Sequence, residues 1–189
     1  MSNPMQSIWK QTLLCACLFN GTISLSLADE SLTLSSPDFQ DQGRLSLSSK
    51  CHRDGGQGLS PALDWTTAPE GTQSFVVMMQ HYPKGSVEGR DAPSHYWSLW
   101  NIPADVHSLP SGNPESTGDE GADKDNRGVG FTPPCSPGTA THSYTITLYA
   151  LNAAPVALGS KDSPDADWSA VMNAIEGKVL ATSTLSFLN

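Results

Sequence analysis

Gly130-Phe-Thr-Pro-Pro-Cys-Ser-Pro-Gly-Thr-Ala-Thr-His-Ser-Tyr144 joins a proline-stiffened loop to the entrance of a strand. Pro133, Pro134 and Pro137 fix φ and remove backbone donors, so residues 130–138 read as loop. Residues 141–149 alternate polar and apolar and are rich in β-branched and aromatic side chains, the pattern of a strand. Strand side chains repeat every second residue, so His142, Tyr144 and Ile146 are predicted to share one face. An imidazole and a phenol beside a rigid loop make the wall of a polar pocket. The same spacing also fits a packed Tyr144 and a His142 engaged by a backbone carbonyl.

Outward from this stretch, short apolar runs recur between turn residues at 32–34, 45–47, 75–79, 96–102, 142–151 and 179–187, with a further short strand ending at Trp65. That spacing predicts an all-β sandwich. One segment breaks the rule: over 165–176, Trp168, Val171, Met172 and Ile175 fall at helical intervals and Gly177 stands where a helix stops. Pro164, Asp165 and Asp167 suit its first turn, and its apolar stripe is expected to cover the sandwich core. No internal repeat or second domain is visible. The expected organisation is a leader at 1–28 and a single domain at 29–189.

The chain has 189 residues, 38% hydrophobic and 15% charged, which is enough for a sizeable core. Its formal net charge of −9, without a run of Lys or Arg, argues against nucleic acid and anionic membrane surfaces as partners. Lys10 precedes an apolar stretch at 13–27 that ends in the small-residue pattern Ser26-Leu-Ala28, which reads as an export signal cleaved before Asp29. Asn20, Gly21 and Ser24 interrupt the stretch, so no stable membrane insertion is expected once the leader is removed. A lipoprotein site at Cys17 is set aside, because the apolar run continues past it. The expected location is therefore the periplasm or the medium. Removing the leader discards Cys15 and Cys17 and leaves Cys51 and Cys135, an even pair that an exported chain is expected to bridge.

Enzyme signatures such as G-x-S-x-G, H-E-x-x-H, a P-loop or a dinucleotide fingerprint do not occur. Gly58-Leu-Ser-Pro-Ala62 imitates a nucleophile elbow, but Pro61 removes the N–H that an oxyanion would need. Asp123-Lys-Asp-Asn-Arg-Gly128 hints at a calcium loop, yet Arg127 and Pro134 stand where oxygen ligands belong. Residues 113–127 are read instead as a long solvated acidic loop, and no cofactor or structural zinc is expected.

Beyond these readings, Pro134-Cys-Ser-Pro-Gly138 with His142-Ser-Tyr144, Gly58-Leu-Ser-Pro-Ala-Leu-Asp-Trp65, Ala68-Pro-Glu-Gly-Thr72 and Trp100-Asn-Ile-Pro-Ala104 appear in an order that resembles the phosphatidylethanolamine-binding protein (PEBP) family. The likeness is strongest to its bacterial, Raf kinase inhibitor-like branch. It implies an antiparallel Greek-key β-sandwich with a helix near the C-terminus, and it places the segments of Cys51 and Cys135 near each other. It also implies a small anion pocket built from an Asp-Pro-Asp-x-Pro aspartate, a His-Trp histidine and a His-x-Tyr pair. His142 and Tyr144 match that pair. His81, in Gln80-His-Tyr-Pro-Lys84, stands near the aspartate position. Tyr96 stands at the histidine position, with His95 one residue early and Trp97 in place.

Exchanging a carboxylate for an imidazole removes a fixed negative charge and supplies a titrating donor, so the pocket should favour anions. The ligand-binding residues expected are His81, Tyr96, Ser136, His142 and Tyr144, with His95, Trp97 and Pro134 as further members. The leading expectation is an exported, non-enzymatic protein that binds an anionic or phosphorylated head group. The alternatives are a protein-interaction or inhibitor module acting on a secreted protease or signalling partner, and a zinc hydrolase using His81, His95 and His142. His95 and Tyr96 are neighbours in a strand and face opposite ways, so both can line the pocket only if the strand bulges.

Overall fold

The computed structural model describes residues 31–112, 117–135, 138 and 140–189. The expected leader at 1–28 with Cys15 and Cys17, the expected mature start Asp29, and the expected site residue Ser136 lie outside the described residues. Nine strands appear: β1 (Leu34–Ser35), β2 (Gly43–Arg44), β3 (Leu63–Trp65), β4 (Ser74–His81), β5 (Ser94–Pro103), β6 (Ser108–Leu109), β7 (Asp119–Glu120), β8 (Ser143–Leu151) and β9 (Val179–Leu188). The described residues contain one α-helix, α1 (Trp168–Ile175).

The strands form two sheets, a small one in the order β1-β3-β6 and a large one in the order β2-β9-β8-β4-β5-β7. β8 returns beside β4, crossing over the β4–β5 hairpin. All pairs are antiparallel except β2 with β9, which run parallel. Leu34, Leu63, Trp65 and Leu109 of the small sheet pack against Phe75, Val77, Leu99, Ile146, Leu148 and Phe187 of the large one. This is the sandwich core the apolar runs predict.

The helix packs elsewhere. Val171 and Ile175 join Val76, Met78, Trp100 and Leu151 in a second cluster on the outer face of the large sheet. β4 is therefore apolar at every position from Phe75 to Met79, because both of its faces are covered. The helix is also shorter than its apolar period suggests. Pro164 and Asp165 precede it, and Asp167 is the N-cap, its Oδ1 accepting from the Ala170 N–H at 2.8 Å. Gly177, at φ +71°, follows the C-cap Glu176.

Two other expectations need correction. The run at 45–47 is not a strand, for β2 ends at Arg44 and residues Leu47–Ser49 form a 3-10 turn. Serine hydroxyls bond locally there, Ser46 Oγ to Ser49 Oγ at 3.2 Å, and Leu47 is 62% exposed. The segment 113–127 is not loop throughout: β7 lies on the edge of β5, pairing Leu99 with Glu120, and Ala122 bridges Val129.

Cys51 and Cys135 form a disulfide across a sequence separation of 84 residues. It ties the turn before β3 to the loop before β8. Among the described residues no helix is long and apolar enough to cross a membrane.

Candidate anion-binding cleft

Three strand ends and a loop meet at one end of the large sheet. His81 closes β4 and pairs in register with Ser94, the first residue of β5. Between the pairs Met79 with Trp97 and Gln80 with His95, Tyr96 is an extra residue, so β5 bulges there. The bulge turns Tyr96 toward the same side as Trp97 and leaves His95 on the other. His142 stands just before β8, held by a two-way backbone pair with Asn189, N to O at 2.8 Å and O to N at 3.0 Å.

His81, Ser94, Tyr96, Lys124, Ala140 and His142 line a cleft of about 500 Å³, with Pro83 and the exposed Cys135 at its rim. The rings are tightly ordered. His81 meets His142 edge to face at 5.1 Å and tilts against Tyr144 at 4.8 Å, while Tyr96 meets Tyr144 edge to face at 5.1 Å. His81 Nδ1 lies 2.8 Å from the Ser143 carbonyl oxygen. A carbonyl only accepts, so Nδ1 carries the proton and Nε2 is the ring nitrogen left for a ligand. Nε2 then donates only when the ring is cationic. Lys124 Nζ sits 5.8 Å above the Tyr96 ring and 3.3 Å from Asp125 Oδ1. Burial, then the neighbouring Tyr144 to which it hydrogen-bonds, pushes the Tyr96 phenol well above the usual tyrosine range, so it stays neutral.

Several expected site residues lie elsewhere. Tyr144 is fully buried, stacked on Phe187 at 5.2 Å, and forms the backing of the cleft instead of its surface. Trp97 is also fully buried, donating Nε1–H to Glu120 Oε1 at 2.9 Å. Pro134 is buried, and its carbonyl accepts from Asn189 Nδ2 at 3.4 Å. His95 is 8% exposed, with Nε2 at 2.9 Å from the Asp123 carbonyl oxygen. It therefore does not converge with His81 and His142, and the three-histidine zinc site is not assembled. Among the described residues the one grouping with metal-ligand spacing is Cys51, Asp54 and Cys135, whose sulfurs are consumed by the disulfide. In the turn read as a calcium hint, Asp123 Oδ1 accepts from Asp125 N at 3.1 Å and Arg127 N at 2.9 Å, and these bonds, Arg127's first, hold its carboxyl below the usual range.

Conversely, sequence reading missed Ser94, Ala140 and Lys124. Lys124 is flanked by Asp123 and Asp125, so its local pattern reports a solvated loop. The bridge of Ala122 to Val129 and the bond from Thr132 N to Tyr96 O at 2.7 Å are what carry that loop across to the cleft.

The sequence profile described as phosphatidylethanolamine-binding protein matches residues 35–188 of this chain. The chain belongs to the PEBP family. Its curated relatives include a UPF0098 protein of Aquifex aeolicus (strain VF5), 31% identical over 133 residues that cover 67% of this chain and 71% of the relative. The UPF0098 protein YbcL of Escherichia coli (strain K12) is 33% identical over 119 residues, covering 57% of this chain and 61% of YbcL. The crystal structure of E. coli YbcL, described as a new member of the mammalian PEBP family, superposes with a TM-score of 0.69 at 25% identity, over 84% of this chain and 97% of YbcL. A PEBP homolog from Chlamydia trachomatis, at 22% identity and a TM-score of 0.70, shares the PEBP fold over 84% of this chain and 97% of its own. The cleft lies within the part of the chain that the PEBP profile matches.

Proposed function

We propose that this PEBP-family protein is an exported, non-enzymatic binding protein whose cleft holds a small phosphate-type anion or phosphorylated head group. The observation that carries the reading is the convergence of His81, His142 and Lys124 on one cleft in a chain of net charge −9. Ser94 supplies a further hydroxyl, and the neutral Tyr96 phenol, hydrogen-bonded to Tyr144, adds to the wall without adding a negative charge. Among the described residues no carboxylate lines this cleft; Asp125 pairs with Lys124 and its charge is also felt at the Tyr96 phenol, and Glu88 lies in the adjoining cleft with Lys84.

Since Nδ1 of His81 is committed to Ser143, proton uptake at Nε2 adds both the charge and the donor that an anion needs. Phosphate binding should therefore strengthen as pH falls from about 8 to about 5.5, the range in which imidazoles ordinarily titrate. Calorimetric titration with inorganic phosphate and with phosphoethanolamine at both pH values tests this. His142→Ala should weaken binding by roughly 1.5 to 3 kcal/mol, the scale of a charge-assisted bond. Absence of heat at either pH, or tighter binding at the higher one, overturns the imidazolium reading. Export is tested by the mass of protein recovered from the periplasm, expected to begin near Asp29; a lipidated Cys17 in the membrane fraction contradicts it.

A further inference from the structure

Past His81 the anion cleft runs into a second one with different chemistry. This neighbour, of about 390 Å³, is walled by Gln80, Tyr82, Glu88, Tyr149, Trp168 and Met172. Gln80, Tyr82 and Glu88 also line the intervening cleft beside His81 and His142, so the hollows are continuous along the sheet. Tyr82, Tyr149 and Trp168 are each only half-buried, an unusual concentration of open aromatic surface beside the well-packed outer cluster. Trp168 Nε1–H donates to Gln80 Oε1 at 2.9 Å, which holds the indole at the cleft wall.

The charge here is the reverse of that at the histidines. Arg90 and Asp91, at the edge of the cleft, neutralise each other at 2.8 Å, and Asp91 also accepts from the Val87 N–H. Glu88 has no hydrogen bond or ion pair among the described residues, and its charge is felt by the Tyr82 phenol. Lys84 lines the intervening cleft, not this one. Three half-buried aromatic rings beside a carboxylate that makes no ion pair among the described residues form an environment that attracts a weakly hydrated cation, because ring quadrupole and carboxylate act in the same direction.

We propose that this cleft binds a small organic cation of the alkylammonium class, held against Tyr82, Tyr149 and Trp168 with Glu88 as the counter-charge. The assignment stands independently of the anion reading, since it uses neither His142 nor Lys124.

The test is NMR of the intact, disulfide-bonded protein titrated with tetramethylammonium chloride, following the Trp168 indole N–H, which is assigned by its loss in Trp168→Phe. Sodium chloride at matched ionic strength is the salt control, and tert-butanol is a neutral molecule of like shape. A saturable shift with tetramethylammonium, absent with tert-butanol, is expected. Glu88→Gln and Tyr82→Leu should each weaken it by about 2- to 5-fold, the scale of one exposed cation contact. His142→Ala should bind tetramethylammonium as the natural protein does, which separates failure here from failure of the anion site. No saturable shift, an equal response to tert-butanol, or unchanged affinity in both variants overturns the proposal. Glu88 lies on an exposed connection, so its variant tests the charge without endangering the fold.

Discussion

His81, Tyr96 and Tyr144 occupy one stack of rings, yet burial gives them different tasks. Tyr144 has no exposed surface and supports Tyr96 from behind. Tyr144→Phe should therefore lower unfolding free energy in urea by about 1 kcal/mol, the net value of a neutral hydrogen bond, while phosphate affinity changes less than about 2-fold. A large loss of affinity at unchanged stability would show that the phenol reaches the ligand. Burial first, then nearby charge, also raises the phenols of Tyr82 and Tyr96, and burial raises that of Tyr149. A raised folded value means that the unfolded chain loses these protons first. Their stabilising effect is complete below the ordinary tyrosine value of about 10 and disappears as pH rises above it. Urea melts at about pH 8 and pH 11 should show the midpoint falling, together with ultraviolet absorbance that reports late phenol ionisation. The residue types of this cleft were legible in advance, but the burial of Tyr144 was not. Alternation tells which face a side chain takes; it does not tell that Phe187 lies flat over that face.

The helix α1 and the strand β5 show the same limit one level up. The apolar period located the helix, and its length was decided by a cap, because Asp167 satisfies an orphan N–H that Pro164 and Asp165 leave open. Asp167→Ala should lower stability by about 1 kcal/mol in chemical denaturation without changing phosphate binding, since α1 packs away from the cleft. In β5, strict alternation would place His95 and Tyr96 on opposite faces, with Trp97 again on the side of His95. One inserted residue brings Tyr96 and Trp97 onto a common side instead. That bulge separates a zinc-like arrangement from the observed cleft, and it follows from pairing with β4, to which local sequence is blind.

For the whole molecule, the disulfide is the long-range constraint, closing 84 residues between the turn before β3 and the rim of the cleft. Chain-entropy reasoning values such a loop at about 4 kcal/mol, and for a domain of this size that is roughly 10 °C in melting temperature. Calorimetric scans with and without reductant should show a fall of that order; an unchanged midpoint would mean that the denatured chain gains little freedom when the bridge is opened. The even pair of cysteines, the short β-branched runs and the proline-rich loop were enough, with the PEBP motifs, to specify a sandwich and this bridge, because each depends on local geometry or on simple counting. The burial of both faces of β4, the position of α1 on the outer sheet face, and the approach of Lys124 to His81 and His142 depend on pairings between residues far apart in the chain. Those pairings are chosen by the packing of the whole, so only the tertiary structure decided them.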